Sequence, residues 1–120
     1  MKSVVIIDDN PDMTMMLERF FKRFDKNNIK TFNNPFKALE YIQSEKVDFV
    51  LSDITMPNMD GLELLQNVKA LKNPPKMIMM TAQSTLDRVL KSHRYEAHDF
   101  MIKPLDLNRL EKRIKELLEA

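Results

Sequence analysis

A chain of 120 residues with 43% apolar content is long enough to bury a core as one domain, spanning 1–120, without disulfides or metal staples. Nineteen basic residues against eighteen acidic ones leave a formal charge of +1, so no bulk field draws nucleic acid or membrane, and the lack of cysteine excludes disulfide, thiolate and zinc–thiolate chemistry. The N-terminal apolar stretch breaks at Asp8, too early for a signal peptide, and nothing approaches transmembrane length, so a soluble cytoplasmic protein is expected.

Val4–Ile7 is a short apolar run that stops at Asp8-Asp9 and predicts a buried first strand. Asn10 can cap the helix that follows, with Pro11 at its first position, where a missing N–H costs nothing. Met13, Met16, Leu17, Phe20, Phe21 and Phe24 recur at helical spacing and predict its inward stripe. Ile29–Phe32 alternates apolar and polar residues, as a half-exposed edge strand does. Asn34-Pro35 opens a second helix with Phe36, Leu39 and Ile42 inward.

Phe49–Leu51 continues through Ser52 to Asp53 and predicts the third strand. Pro57 and Gly61 mark the turn into a helix carrying Leu64, Leu65, Val68 and Leu71, which Asn73-Pro74-Pro75 ends. Met77–Met80 is a fourth strand ending on Thr81. Ser84 and Asp87 make a capping pair for a fourth helix with Leu86, Val89 and Leu90 inward. Phe100–Ile102 ends on Lys103-Pro104. Asp106 caps a fifth helix with Leu107, Leu110, Ile114, Leu117 and Leu118 buried, Leu105 and Leu110 placed as a staple, and Glu111 spaced to pair with Lys115. Five strand–helix alternations make a (βα)5 α/β fold, a doubly wound parallel sheet in the order 2-1-3-4-5 with the polar second strand at an edge.

Ligands of such sheets bind beyond the carboxyl ends of the strands, which brings Asp8, Asp9, Asp53, Thr81 and Lys103 to one crevice. Two carboxylates ~5 Å apart repel by roughly 3 kcal/mol at an effective dielectric of 20, so three in one pocket need a proton or a cation. An all-oxygen set without His or Cys suits a hard cation such as Mg²⁺. One of the carboxylates can also act as a nucleophile and form an aspartyl-phosphate. Lys103 and Thr81 can hold phosphoryl oxygens. Phosphoryl transfer needs mainly positioning and charge neutralisation, and no nearby His offers a general base; the expected product is a stable or slowly hydrolysed covalent phosphate. Taken singly, each residue has a structural explanation: a capped turn for Asp8-Asp9, a loop acid for Asp53, a structural hydroxyl for Thr81, a turn for Lys103-Pro104. Their joint placement after four strands favours the functional one. The methionines read as core filling, and His93 and His98 as solvent-facing residues without metal-ligand spacing.

The acidic pair in Ile7-Asp8-Asp9-Asn10, the segment from Asp53 through Met56-Pro57-Asn58-Met59-Asp60-Gly61, Thr81-Ala82, and Asp99-Phe100-Met101-Ile102-Lys103-Pro104 resemble, in this order and over the whole chain, the CheY-like receiver domains of bacterial two-component response regulators. The resemblance implies a flavodoxin-like fold and a phosphorylation-dependent signalling switch. Asp53 would accept a phosphoryl group from a phosphohistidine on a sensor histidine kinase or phosphotransfer protein. Asp9, Asp53 and the Thr55 carbonyl would bind Mg²⁺ directly, with Asp8 acting through water. Thr81 and Lys103 would hold the phosphoryl oxygens, and the Lys103-Pro104 peptide would be cis. Thr81 and Phe100 would carry the switch, with output through the face of the fourth helix, fifth strand and fifth helix to a downstream protein. Phe100 is the aromatic three residues before the lysine; a Tyr there could keep its hydroxyl hydrogen-bonded in either state, whereas Phe100 responds through packing alone. Thr55 and Gln83 occupy the positions that tune hydrolysis of the acyl-phosphate.

Such a domain catalyses its own phosphotransfer and slow autodephosphorylation but is not a turnover enzyme. No direct nucleic-acid or membrane partner is expected, and a phosphorylation-dependent homodimer stays open. Glu96-Ala97-His98-Asp99-Phe100 departs from the family in having Glu where Gly is usual, which predicts an altered end to the fourth helix. A stand-alone receiver is expected; one cut from a longer, for example DNA-binding, regulator would read identically. A phosphatase of the haloacid dehalogenase type would place a second acid where Thr55 stands, and a pseudo-receiver would have lost the acceptor, the acidic pair or the lysine.

Overall fold

The apolar runs form strands because helices cover both of their faces. In the computed structural model, which describes residues 2–23, 28–56, 59–82 and 99–119, no residue of β1 (Ser3–Ile7), β3 (Phe49–Asp53) or β4 (Lys76–Thr81) is exposed. β2 (Asn28–Phe32) and β5 (Asp99–Ile102) complete a five-stranded sheet in the order β2-β1-β3-β4-β5, with every neighbouring pair parallel. The register pairs Ile7 with Ser52, Asp53 with Met80, and Thr81 with Ile102, so the carboxyl ends of four strands lie side by side.

Alternate strand residues feed two cores. Val5, Ile7, Val50, Met77 and Met79 pack with α2 (Pro35–Ser44) and α3 (Gly61–Lys69). Val4, Ile6, Phe49, Leu51, Ile78 and Met80 pack with α1 (Pro11–Phe21) and α4 (Leu107–Glu119). The fifth helix expected from the sequence is this α4, where both Leu105 and Leu110 join the core. The expected fourth helix, with Ser84, Leu86, Asp87, Val89 and Leu90, lies outside the described residues. So do Phe24, Pro57, Gln83, His93, Glu96 and His98.

Among the described residues, each helix start is held by a side-chain oxygen, worth about 1 kcal/mol apiece. Asn10 accepts from the Asp12 N–H at 2.9 Å, Asn34 from Phe36 and Lys37 at 2.8 and 3.2 Å, and Asp106 from Asn108 and Arg109 at 3.1 and 3.2 Å. Asp60 does the same for α3, accepting from Leu62 at 2.9 Å.

Two inward assignments are corrected. Met16 is 41% exposed and Phe36 52% exposed. Helical residues step by about 100°, and the buried stripe of α1 is centred on Leu17 with Thr14 and Phe21 on one side and Met13 and Phe20 on the other. Met16 falls at its margin because buried Thr14 holds the opposite flank. In α2 the ring of Pro35 takes the inward place beside Ala38 and Ile42, which turns Phe36 outward. Met15 is exposed as well, so core filling describes Met56, Met59, Met77, Met79, Met80 and Met101, and Met13 in part, but not Met15 or Met16. Leu71 lies beyond the end of α3, yet still packs on the core. On α4 an ion pair joins Arg113 to Glu116 at 3.2 Å. Among the described residues, no helix is long and apolar enough to cross a membrane.

Candidate functional site

Asp8 follows β1 directly, and Asp53 is the last residue of β3. Both are buried, while Asp9 on the turn into α1 is exposed. One carboxylate oxygen from each of the three lies within 4.8 Å of the others. Lys103, one residue past β5, reaches across from the neighbouring side of the sheet. Its Nζ donates to Oδ2 of Asp8 at 3.0 Å and to Oδ2 of Asp53 at 3.1 Å. The Lys103 backbone N–H donates to the carbonyl of Thr81 at 2.8 Å, which ties the lysine to the end of β4. The Lys103-Pro104 peptide is cis.

Burial is the largest influence on Asp53 and pushes its carboxyl above the usual value; attraction to Lys103 opposes this, repulsion from Asp8 adds to it, and the Thr55 N–H at 3.3 Å opposes it weakly. Burial alone would lower Lys103, but hydrogen bonds and charge from Asp8 and Asp53 outweigh it and hold the ammonium above its ordinary value. At Asp53, burial therefore outweighs the attraction of the lysine.

Thr81 is buried at the end of β4, and its hydroxyl donates to the carbonyl of Ala82 at 3.2 Å. Thr55 is exposed beside Asp53. Phe100 is half-buried on β5, packed on the core that α2 and α3 share. The structure thus brings Asp8, Asp9, Asp53, Thr55, Thr81 and Lys103 to one end of the sheet, with Phe100 three residues before the lysine. Every donor in the acidic cluster is a hard oxygen, a set that fits Mg²⁺.

Two supports were not legible in advance. The side-chain amide of Asn33 donates to the Asp8 carbonyl at 2.8 Å and to the Thr14 hydroxyl at 3.0 Å. Gly61 backs onto the acceptor strand, its N–H donating to the Ile54 carbonyl at 2.7 Å. The available signals were an Asn-Asn doublet with only its second member needed as a cap, and a Thr inside an apolar stripe.

The family model of the response regulator receiver domain matches residues 4–115. The chain belongs to that family. This receiver domain is 33% identical over 112 residues to transcriptional regulatory protein MalR of Bacillus subtilis (strain 168), covering 92% of this chain and 48% of MalR. It is 30% identical over 119 residues to sporulation initiation phosphotransferase F of the same organism, covering 98% of this chain and 94% of that one. It thus spans about half of the first relative and nearly all of the second. Among solved structures, the signal receiver domain of a DNA binding response regulator protein (merR) from Colwellia psychrerythraea 34H superposes with a TM-score of 0.89 at 32% identity, covering 100% of both chains. Receiver domains of this family are signalling domains rather than turnover enzymes.

Proposed function

We propose that this receiver domain is a phosphorylation-dependent switch in which Asp53 accepts a phosphoryl group from the phosphohistidine of a sensor histidine kinase or phosphotransfer protein. The observation that carries this reading is the meeting of three carboxylates and one ammonium at the carboxyl end of the sheet. In the transfer, a carboxylate oxygen of Asp53 bonds to phosphorus as the donor's phosphorus–nitrogen bond breaks, and the imidazole keeps the electron pair. Asp9, Asp53 and the Thr55 carbonyl would hold Mg²⁺ directly, with Asp8 through water. When bound, Mg²⁺ offsets carboxylate charge and lets a phosphoryl dianion approach. Lys103 then exchanges a carboxylate for a phosphoryl oxygen, and the Thr81 hydroxyl turns from Ala82 toward another.

Phe100 repacks in response and biases a two-state equilibrium, read by a downstream protein on the face of the expected fourth helix, β5 and α4. Ile102, 38% exposed on β5, supports an apolar contact there. The domain, one unit over 1–120 in the cytoplasm, catalyses its own phosphorylation and slow dephosphorylation, without direct nucleic-acid or membrane contact; a homodimer is one form the active state can take.

Incubation with Mg²⁺ and acetyl phosphate, followed by intact mass measurement, tests the acceptor. One phosphoryl adduct is expected, absent in Asp53→Asn and without Mg²⁺. An adduct that persists in Asp53→Asn overturns the assignment.

A further inference from the structure

The exposed Asp9 carboxylate makes no hydrogen bond or ion pair among the described residues, so its place depends on the backbone turn that carries it. That turn, Asp8 to Pro11, is fastened at both ends by one side chain. Its first end is Asp8, whose N–H donates to the Phe32 carbonyl at 3.1 Å and whose carbonyl accepts from Asn33 Nδ2 at 2.8 Å. The Asn33 amide continues the β1–β2 ladder by one step beyond the last backbone pair, Ile7 with Phe32. The second end is the opening of α1. There the other Asn33 N–H reaches the buried hydroxyl of Thr14 at 3.0 Å, and Thr14 itself donates back to the Pro11 carbonyl at 3.0 Å. Both amide hydrogens of Asn33 are thereby spent on the two flanks of Asp9.

We infer that Asn33, acting through Asp8 and Thr14, is a positioning residue that sets the Asp8–Asp9 turn for Mg²⁺. This rests on the proposed acidic site, and concerns a loop on the far side of β1 from Asp53. Hydrogen bonds that orient metal ligands typically contribute 10- to 100-fold in affinity. Asn33 works one step further back, through the backbone, which places it at the low end of that range. Thr14 belongs to the same device: an apolar residue there would fill the stripe of α1 equally well but would leave the second amide hydrogen without its acceptor.

The test is a titration with MgCl₂ alone, followed by amide shifts in proton–nitrogen spectra, on the wild-type chain and on Asn33→Ala, Thr14→Val, Asn34→Ala and Asp9→Ala. Asn33→Ala is expected to raise the Mg²⁺ Kd about ten-fold, at the low end of supporting hydrogen bonds, and Thr14→Val, which keeps the shape of the side chain, to raise it less. Asn34→Ala removes a helix cap with a comparable stability loss and should leave the Kd unchanged. An unaltered Kd in Asn33→Ala, or an equal weakening in Asn34→Ala, overturns the positioning role while the acidic site stands. A wild-type chain that shows no Mg²⁺-dependent shifts, or shifts that survive in Asp9→Ala, overturns the acidic site itself and the inference with it. If Asn33→Ala does not fold, Thr14→Val carries the comparison, and an unaltered Kd in that variant overturns the role.

Discussion

A Cβ on Gly61 would stand 2.4 Å from the carbonyl oxygen of Asp53. The next nearest atoms are the Cα and the carbonyl oxygen of Ile54, at 2.5 and 2.9 Å, so all three obstacles are backbone. Gly61 does not have positive φ, and its requirement is therefore one of distance rather than conformational freedom. The start of α3 lies directly against the strand end that presents the acceptor.

Gly61→Ala follows from that contact. A methyl group forced against backbone cannot be relieved by rotating a side chain, and overpacking of this kind costs about 1–3 kcal/mol. Urea denaturation should show a loss in that range. A variant as stable as the parent would mean that the end of β3 yields without cost.

Asp53→Asn should stabilise the metal-free protein at neutral pH. Burial raises the Asp53 carboxyl, so the native state binds its proton more readily than the unfolded chain does. Stability must then fall as pH rises from the unfolded carboxylate range through the raised native value. An uncharged amide of the same shape removes this cost, for a gain on the order of 1 kcal/mol. The gain should vanish in acid, where the wild-type carboxyl is also neutral. Urea midpoints at neutral and acid pH, in chelator, decide it; a wild type at least as stable at neutral pH rejects the prediction.

Lys103→Met should act in the opposite direction. The Lys103 ammonium is held above its ordinary value of 10.5, so its contribution is fully present below that value and is lost as pH rises through the native one. Hydrogen bonds between charged groups, discounted for a side chain 28% exposed, suggest a loss of about 1–2 kcal/mol at neutral pH. The difference between the two proteins should shrink at strongly alkaline pH. Asp53 should also titrate higher in the variant, which carbon-13 carboxyl shifts can follow; a lower value would refute the pairing.

Leu17→Ala should cost about 2–5 kcal/mol, as loss of a fully buried leucine does, whereas Met16→Gln and Phe36→Gln should stay within about 0.5 kcal/mol. Chemical denaturation of the three separates a stripe centred on Leu17 from one that includes Met16.

Strand order and the edge position of β2 could be read from the alternation of apolar and helical segments and from the polar content of β2. Three of the four caps among the described residues could be read because each depends on neighbours a few residues apart. Burial on both faces makes a strand apolar throughout, and Asn10, Asn34 and Asp106 cap amides within three positions of themselves. The helix faces were less legible. Apolar spacing leaves about one residue of rotational freedom, and Thr14, polar but buried, drew the stripe toward its own flank and left Met16 at the opposite margin.

Residue identity and strand-end position were enough to gather Asp8, Asp9, Asp53, Thr81 and Lys103 in one crevice, since parallel βα units send every strand's carboxyl end to the same side. What they left open was the balance of forces inside it. That Lys103 bridges Asp8 and Asp53, that burial at Asp53 outweighs the lysine, that Asn33 fastens the acidic turn, and that Gly61 must be small to pass the Asp53 carbonyl are all decided by contacts between residues far apart in the chain. Such contacts depend on distances of a few tenths of an ångström, and only the packed sheet and helices set those.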